Sequence, residues 1–370
     1  MAGIYIHIPF CKQACIYCNF YFEKGKKNQS PLVDALIKEI ELRNNEITEP
    51  IKTLYFGGGT PSYLEFNYLE KIIKSVKANY DLTEIAEVTL EANPDDINLE
   101  RLNQWKSLGI NRLSIGVQSF FDSHLKWMNR AHNSEEAESS IKEALKLNFE
   151  VSIDLIFGIP NSTHEQWLSN LNKTIALGVH HISCYGLTLE PNTPWEKLIK
   201  RGQYPSSNDD LSAEQFEMAD SVLLENLYEH YEISNYALRG KKAKHNSSYW
   251  AGEPYIGIGP SAHSYNLITR SWNISDIKQY IESLSINKRP FEEERLSKEN
   301  RINEYLMTSL RTSDGINIEK LNELDIQVDD LKKQLTEEIK KGFVFLNDKA
   351  LKLSPKGMLY ADAIASKLFV

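Results

Sequence analysis

Apolar strand-like runs and amphipathic helical stretches alternate through the first half of the chain. Runs rich in β-branched and aromatic residues predict strands at residues 4–8, 53–56, 87–90, 112–117, 150–157 and 181–187. Helical spacing of apolar residues predicts helices at residues 30–47, 68–78, 99–107, 135–147 and 165–176. Six strand-then-helix units in series indicate an α/β fold, in which right-handed crossovers curl a parallel sheet into a partial (β/α)6 barrel.

Beyond about residue 190 the chain follows a different pattern. We predict a long helix at 208–229, a short strand at 232–236 and a polar, glycine-rich region at 239–265. Further helices are expected at 277–284, 298–311, 318–323 and 328–341, before a β-hairpin at 343–354 and a last helix from Pro355. The expected domains are therefore a core at 1–235 and a C-terminal region at 236–370 that ends in a small, mostly helical, winged-helix-like module.

Polar and glycine-rich clusters follow the predicted strands at their carboxyl ends. These clusters occupy residues 11–20, 57–62, 91–94, 118–119 and 158–160. In α/β barrels this face of the sheet holds the active site, so the pattern predicts one composite site there.

Charge and hydropathy argue against several classes of protein. The net charge of −9 over 370 residues argues against a general nucleic-acid binder. No apolar run approaches the roughly 20 residues of a membrane helix, and no secretory signal precedes the first strand. We therefore expect a cytoplasmic protein, in which a reducing environment leaves clustered thiols available as ligands.

Three of the four cysteines lie within eight residues, directly after the first strand: Cys11, Cys15 and Cys18. Thiolates favour zinc, copper(I) or iron–sulfur clusters. A closed zinc site needs a fourth Cys or His nearby, and a disulfide would leave an odd thiol. His7 lies within the predicted strand and Cys184 is far along the chain. Three ligands around a four-iron cube would instead leave one iron open for a substrate or cofactor.

The Cys-x3-Cys-x2-Cys spacing resembles the signature of the radical S-adenosylmethionine (SAM) superfamily. The preceding Tyr5-x-His7-Ile-Pro-Phe-Cys11 is similar to the oxygen-independent coproporphyrinogen III oxidase family, HemN and HemW. The resemblance implies a 4Fe–4S cluster on Cys11, Cys15 and Cys18. It also implies that SAM binds the open iron through its amino and carboxylate groups.

Several strand-end residues could serve such a site, although each has an ordinary structural explanation. The glycines at 57–59 could expose backbone N–H groups to an anion or form a tight turn. Arg130 offers a rigid fork for a carboxylate, and Asp154 needs a partner within its apolar strand or a place at the barrel mouth. The family resemblance assigns SAM contacts to Tyr5, Tyr17, Gly58, Gly59, Thr60, Glu91, Gln118, Arg130 and Asp154.

A second motif is His245-Asn246-x-x-Tyr249-Trp250. Imidazole can ligate iron, aromatic rings can pack on a macrocycle, and the basic residues of 239–244 could meet carboxylates. On the residues alone, a solvated basic loop above packed aromatics is the favoured interpretation. The motif nevertheless resembles the heme-binding motif of the heme chaperones in this family, which implies His245 as heme ligand.

Two other residues have weaker signals. The block 257–264 resembles a family block that would place His263 near the site, although a glycine-rich turn explains it equally well. Cys184 is interpreted as a small core residue rather than a ligand.

The leading hypothesis is a heme chaperone that hands heme to an acceptor protein, with the cluster and SAM supporting that role. The family's oxidases carry a fourth cysteine at the position that Phe20 occupies in this chain, and they lack the His245 motif. The alternative is a radical SAM oxidase that decarboxylates the propionates of coproporphyrinogen III, so enzymatic activity is left open. A third hypothesis, a cluster-bearing regulatory or nucleic-acid-modifying radical SAM protein, is disfavoured by the net negative charge and by the lack of interleaved aromatic and basic residues in the C-terminal module. A respiratory acceptor, peripheral membrane association and a homodimer are left open as partner hypotheses.

Overall fold

A computed structural model of the chain describes residues 2–19 and 21–370. Phe20, where the cysteine motif departs from that of the oxidases, lies outside the described residues. The first half contains these elements: β1 (Ala2–Ile8), β2 (Phe10–Cys11), β3 (Glu23–Lys24), α1 (Gln29–Leu42), β4 (Ile51–Gly58), α2 (Phe66–Asn79), β5 (Glu87–Ala92), α3 (Leu99–Ser107), β6 (Arg112–Gln118), α4 (Asp122–Trp127), α5 (Ser134–Lys146), β7 (Glu150–Phe157), α6 (His164–Ala176), β8 (His181–Gly186) and α7 (Pro194–Lys200).

The second half mixes helices with antiparallel strands. Its elements are α8 (Asp209–Glu225), β9 (Tyr228–Glu232), β10 (Asn235–Leu238), α9 (Lys244–Trp250), β11 (Tyr255–Ile258), β12 (His263–Tyr265), β13 (Thr269–Asn273), α10 (Ile277–Ser285), β14 (Phe291–Arg295), α11 (Lys298–Leu310), β15 (Ile316–Asn317), α12 (Ile318–Glu323), α13 (Val328–Gln334), α14 (Thr336–Lys340), β16 (Val344–Leu346), β17 (Ala350–Leu353), α15 (Pro355–Met358) and α16 (Ala361–Ser366).

Within the described residues, one twelve-stranded sheet forms the core of the molecule, in the order β14-β13-β12-β11-β1-β4-β5-β6-β7-β8-β10-β9. Its centre, β1-β4-β5-β6-β7-β8, is parallel throughout and runs in chain order. The predicted partial (β/α)6 barrel is therefore confirmed. Strand β11 adds a further parallel neighbour to β1, which the sequence interpretation missed.

The barrel strands separate apolar from polar residues by alternation. Ile4 and Ile6 of β1, like Leu113 and Ile115 of β6, are fully buried in the hydrophobic core between sheet and helices. The intervening residues of β4 to β8, such as Ser114, line cavities enclosed by the sheet. Since successive strand residues face opposite sides, one face packs against helices and the other forms a polar interior. Barrel interiors are more often filled with branched apolar residues, so this interior is built to hold polar groups.

Several predicted elements differ from the structure. The segment predicted as a strand at 232–236 spans a tight turn between β9 and β10, which pair with each other. The long helix predicted to residue 229 ends at Glu225, because Leu227 has a positive φ of 68° that a helix cannot accommodate. The glycine-rich region at 239–265 contains α9, β11 and β12.

Strands β13 and β14 were missed because their residues, including the wholly exposed Phe291–Arg295, carry no alternating apolar signal. The sheet therefore continues to residue 295, well past the domain boundary expected at 235/236, which falls at the start of β10. The predicted helix at 328–341 is two helices, α13 and α14, that meet at Leu335.

A smaller module follows the large sheet. Its three-stranded sheet has the order β15-β17-β16, so the predicted hairpin is confirmed and one short strand is added. Leu310, Leu331, Leu351 and Leu368 are buried where its helices pack on this sheet. None of the described helices has the length and apolar content that a membrane-spanning helix requires.

Candidate functional site

A cavity of about 510 Å³ opens at the carboxyl ends of the barrel strands, where the composite site was predicted. The cysteine loop after β1 forms one wall, and the loops after β4 to β8 form the others. Its walls include the three clustered cysteines and most positions that the family resemblance assigns to SAM: Cys11, Cys15, Cys18, Tyr17, Gly58, Gly59, Thr60, Glu91, Gln118, Arg130 and Asp154.

The thiols of Cys11 and Cys15 each receive a hydrogen bond from a neighbouring loop. Thr60 Oγ1 donates to Cys11 Sγ at 3.7 Å, and Arg130 Nη1 donates to Cys15 Sγ at 3.2 Å. Burial raises the pKa of the Cys11 thiol to about 11. Donors aimed at sulfur stabilise a thiolate, which is the form that ligates iron. The chemistry of this donor set therefore fits an iron–sulfur cluster.

Among residues 2–19 and 21–370, no three His, Cys, Asp or Glu side chains converge closely enough to hold a metal ion. A closed zinc site needs its ligands on one centre, whereas a four-iron cube spreads three thiolates over three corners. The half-buried positions of the three cysteines around the cavity suit the larger group.

The glycine loop lies directly against the cysteine strand. A Cβ atom on Gly59 would stand 2.8 Å from the carbonyl oxygen of Phe10 and 2.9 Å from that of Ile8. Gly58 has a φ of +112°, and its Cβ would collide with the His7 ring at 2.5 Å. Both positions therefore require glycine, and the close approach fixes the cysteine loop over the end of β4.

Glu91 ends β5 and lies half-buried in the cavity wall. Its carboxylate accepts from the Tyr55 hydroxyl at 2.7 Å and from the Gly58 backbone N–H at 3.1 Å. Burial, and to a smaller extent the nearby Asp154 carboxylate, raises the pKa of Glu91 to about 7. A carboxylate held in this way can accept from an ammonium or a hydroxyl group of a ligand.

Asp154 and Gln118 approach the same cavity from neighbouring strands. Ser114 Oγ donates to Asp154 Oδ1 at 3.4 Å, and burial raises the pKa of Asp154 to about 6. Gln118 has a φ of 66°, and the β6–β7 register shifts between Ile115 and Gln118. Such an irregularity re-aims a side chain at a strand end, and here Gln118 lines the cavity.

Arg130 joins the cysteine loop to the sheet. Its Nη2 donates to Asn93 Oδ1 at 2.7 Å and to the Gly116 carbonyl at 2.8 Å, while Nη1 donates to Cys15. The preceding Asn129 donates its side-chain amide to the Ala14 carbonyl at 2.7 Å. Sequence analysis missed Asn93 and Asn129 as site residues, although Asn93 falls within the strand-end cluster at 91–94.

Tyr5 lies below the cavity, inside the barrel. Its hydroxyl is 3.0 Å from His7 Nδ1, and its ring stacks on Tyr55 with 6.0 Å between centroids. Burial lowers the pKa of His7 to about 4, so this histidine is neutral near pH 7. Tyr5 is not among the residues that line the cavity, and it lies beneath Glu91 and the glycine loop.

The second motif lies at the opposite end of the barrel. Helix α9 packs against the amino-terminal ends of the strands, and the Glu87 carboxylate accepts from the backbone N–H groups of Lys244 and His245 at 2.8 and 3.0 Å. This carboxylate caps the first turn of the helix. His245 is only 1 % exposed, and the barrel interior separates it from the cysteine loop.

Both ring nitrogens of His245 are engaged. Nδ1 is 2.8 Å from Thr53 Oγ1, and Nε2 is 2.8 Å from the Tyr249 hydroxyl. The ring stacks on Tyr55 with 5.0 Å between centroids, and burial lowers its pKa to about 3. In this conformation both imidazole nitrogens of His245 take part in contacts at the barrel floor.

The neighbours of this motif are also engaged in ordinary contacts. Lys241 and Lys242 form ion pairs with Glu150 and Glu229, and Arg311 stacks over Trp250 at 5.5 Å. His263 is exposed on β12 beside Trp272 and lies outside the cavity wall. Cys184 is buried, as expected for a core residue.

Comparison with known proteins agrees with the architecture. The Radical SAM superfamily model matches residues 5–197, and the HemN C-terminal domain model matches residues 296–360. The heme chaperone HemW of Lactococcus lactis is 33% identical over 371 residues, covering 99% of this chain and 97% of that protein. The heme chaperone HemW of Bacillus subtilis is also 33% identical, covering 98% of each.

Among solved structures, coproporphyrinogen III oxidase (HemN) from Escherichia coli superposes with a TM-score of 0.86. The alignment covers 100% of this chain and 90% of that one at 22% identity, which shows a shared fold. Together with the strand order and the full-length similarity, these matches show that the chain belongs to the radical SAM superfamily and, within it, to the HemW family.

Proposed function

We propose that this protein is a heme chaperone that binds heme and transfers it to an acceptor protein, supported by a 4Fe–4S cluster and SAM. The observation that carries the proposal is the similarity to relatives named heme chaperone HemW, which extends over nearly the whole chain. The cavity adds support, because it gathers the three clustered cysteines with polar groups suited to a zwitterionic ligand.

The proposed cluster ligands are Cys11, Cys15 and Cys18. When bound, the cluster and SAM would supply one-electron chemistry to the site. The chain's own contribution is to hold these thiols beside the donors Thr60 and Arg130, and to keep the glycine loop against the cysteine strand.

The proposed SAM contacts follow from charge. Glu91 and Asp154 offer carboxylates to an ammonium group or to ribose hydroxyls, and the Arg130 guanidinium offers positive charge to a carboxylate. Gly58 and Gly59 line the same wall, although their backbone N–H groups already donate to Glu91 and to the Ile8 carbonyl. Further SAM contacts are proposed for Tyr17, Thr60 and Gln118, with Tyr5 supporting them from below.

Heme recognition is proposed for the motif His245, Asn246, Tyr249 and Trp250, with His245 as the iron ligand. Because both His245 nitrogens are bonded in the described conformation, ligation requires α9 to leave the barrel floor. The proposal therefore includes an opening of α9 that replaces two hydrogen bonds by an iron bond and an aromatic contact with the macrocycle.

The test is an anaerobic titration of the reconstituted protein with heme, followed by absorbance and metal analysis, and then by transfer to an apo-acceptor hemoprotein. We expect one heme per chain, and loss of stoichiometric binding in His245→Ala with its iron–sulfur absorbance intact. His263→Ala, at an exposed histidine, is the matched control and should bind heme normally. Heme binding by His245→Ala equal to that of the unmodified protein would refute the ligand assignment.

The alternative function, oxidative decarboxylation of coproporphyrinogen III, is favoured by the SAM-type groups that line the cavity. The same reconstituted sample, incubated with SAM, dithionite and coproporphyrinogen III, separates the two functions. Protoporphyrinogen formed without specific heme binding would replace the chaperone proposal with the oxidase. Heme transfer without decarboxylated product would establish the chaperone.

The site of action proposed with this function is the cytoplasm, where thiols remain reduced. A respiratory acceptor, contact with a membrane surface and a homodimer stay predictions. Transfer assays, vesicle co-sedimentation and analytical ultracentrifugation would test them.

A further inference from the structure

A second, smaller chamber of about 40 Å³ lies inside the barrel beneath the large cavity. Glu91, Ser114, Asp154 and Tyr185 line both spaces, so these residues separate the chamber from the cavity above. Asn246 of the floor helix α9 lines it as well. The chamber therefore lies between the carboxylates of the proposed SAM site and the floor of the barrel.

Two buried polar groups in the chamber wall have no hydrogen-bond partner within the described part of the chain, Arg112 Nη2 and Thr89 Oγ1. Arg112 is 2% exposed and Thr89 is fully buried. The other terminal nitrogen of Arg112 makes only long contacts of 3.4 Å, to Glu150 and to the Lys241 carbonyl. Buried groups of this kind are normally satisfied by protein or ordered water, so both have an unused capacity for a partner in the chamber.

The size and charge of the chamber suit water as this partner. One water needs roughly 10–15 Å³ of such space, so the chamber accommodates about three. A cation would face the Arg112 guanidinium, and an anion would face the carboxylates of Glu91 and Asp154. Water can instead accept from Arg112 and donate to a carboxylate, which matches the donors and acceptors of the wall.

We infer that Arg112 is a positioning residue that acts on Asp154 through water in this chamber and so presents the Asp154 carboxylate to SAM in the cavity above. This inference rests on the proposed SAM site. Asp154 accepts from Ser114 at 3.4 Å and from Ser183, which lies opposite it on β8. An ionised carboxylate has about four acceptor sites, so Asp154 has capacity left for water. The positive charge of Arg112 also favours the ionised form of Asp154, against the effect of burial.

Other charged or titratable groups lie near Asp154 on the strands around it. The variants compared below leave these groups unchanged, so their effect on the Asp154 pKa is the same in each variant. These groups are Glu91 on β5, Tyr55 on β4, Tyr185, Cys184 and His181 on β8, and Arg130 after α4.

The test compares SAM affinity between pH 5 and pH 8.5 in the reconstituted protein, measured by calorimetry. SAM binding to the unmodified protein should weaken as pH falls through the Asp154 pKa of about 6. Arg112→Met removes the charge at similar volume and should move this midpoint upward by about one pH unit, the scale of a single nearby charge. Arg112→Lys should return it close to the original value. An unchanged midpoint in Arg112→Met would overturn the inference.

Thr89→Val tests the water itself, because it removes a water anchor without changing any charge. We expect a smaller midpoint shift in the same direction. An unchanged midpoint together with a raised Tm would show a dry chamber in which the hydroxyl was merely unsatisfied, and would overturn the water-mediated contact.

Infrared titration of the Asp154 carboxyl band in the protein without cluster or SAM, assigned with Asp154→Asn, gives a second measurement. The titration should show the same order of Asp154 midpoints for Arg112→Met, Arg112→Lys and Thr89→Val. Identical midpoints would refute the role of Arg112. Failure of the unmodified protein to bind SAM at any pH would count against the proposed function instead, and the infrared titration would still decide the relation of Arg112 to Asp154.

Discussion

The Arg130 guanidinium donates to the sulfur of Cys15 at 3.2 Å while its other terminal nitrogen donates to Asn93 and to the Gly116 carbonyl. One side chain thus joins the cysteine loop to the ends of β5 and β6. A positive charge at this point stabilises the thiolate of Cys15 and can also attract a carboxylate of a ligand in the cavity.

Replacing Arg130 by Gln should weaken both the fold and the site. The substitution leaves buried acceptors on Asn93 and Gly116 without their charged donor, which should cost about 1–3 kcal/mol of unfolding free energy. SAM affinity should fall by about tenfold or more, equivalent to one lost charged contact. Urea unfolding of the apo-protein and calorimetry of the reconstituted protein measure the two effects. Arg301→Gln, at an exposed arginine, is the control, and equal behaviour of the two variants would contradict the role of Arg130.

Gly59→Ala should displace the cysteine loop. The added Cβ would meet backbone oxygens of Phe10 and Ile8 at 2.8–2.9 Å, and backbone cannot rotate away as a side chain can. We expect iron incorporation per chain to fall to less than about half, with a loss of about 1–3 kcal/mol of stability. Gly109→Ala is the matched control, because its Cβ would meet nothing within 4 Å and only its positive φ is strained. Full iron loading of Gly59→Ala would show that the loop tolerates the shift.

The raised pKa values of Glu91, about 7, and Asp154, about 6, predict a pH dependence of stability. Both carboxyl groups bind protons more tightly in the folded chain than in the unfolded chain. The stability that protonation contributes is therefore fully present below about pH 4 and is lost as pH rises through 6–7. Since both groups face an open cavity, the effect of each should be about 1–2 kcal/mol.

Glu91→Gln should accordingly be more stable than the unmodified apo-protein at pH 8 by about 1–2 kcal/mol, and equal to it near pH 4. The amide keeps both partners, because the Tyr55 hydroxyl can accept as well as donate. Guanidinium unfolding at the two pH values measures the difference. Glu41→Gln, at an exposed site, should show no such change. A stability gain of Glu91→Gln that is the same at both pH values would point to packing rather than ionisation.

Much of the cavity could be predicted from the sequence because its groups follow strand ends. Parallel strands place their carboxyl ends at one edge of a sheet, so the cysteine loop, the glycine loop and Glu91 converge without knowledge of side-chain contacts. Tyr5 and Asp154 lie within β1 and β7 instead, where strand alternation turns their side chains into the barrel.

The floor of the barrel could not be predicted in the same way. Helix α9 is fixed by Glu87, a residue 158 positions before His245, and no local pattern specifies a contact over that separation. The helix is also only seven residues long, too short for periodicity to reveal it against the surrounding polar and glycine-rich stretch. Strands β13 and β14 were hidden for a different reason, because their residues carry no alternating apolar signal.

The buried contacts of His245 lead to a prediction that separates a structural role from iron ligation. Tyr249→Phe removes the hydroxyl 2.8 Å from His245 Nε2, which should cost about 1 kcal/mol of stability and leave that nitrogen free. His245→Ala removes both hydrogen bonds and a ring stacked on Tyr55, and should cost about 2–4 kcal/mol. If heme takes His245 when α9 opens, Tyr249→Phe lowers the barrier and should speed heme association.

Stopped-flow heme binding and urea unfolding of the two variants decide the matter. Faster association in Tyr249→Phe, with none in His245→Ala, supports ligation through an opened floor. Slower association in Tyr249→Phe would mean that the tyrosine contacts heme directly, and the iron ligand must then be sought elsewhere. Thr53→Val provides the matched control, because it frees Nδ1 on the side of the ring that faces the strands. Iron has no access to this side without separation of β1 from β4.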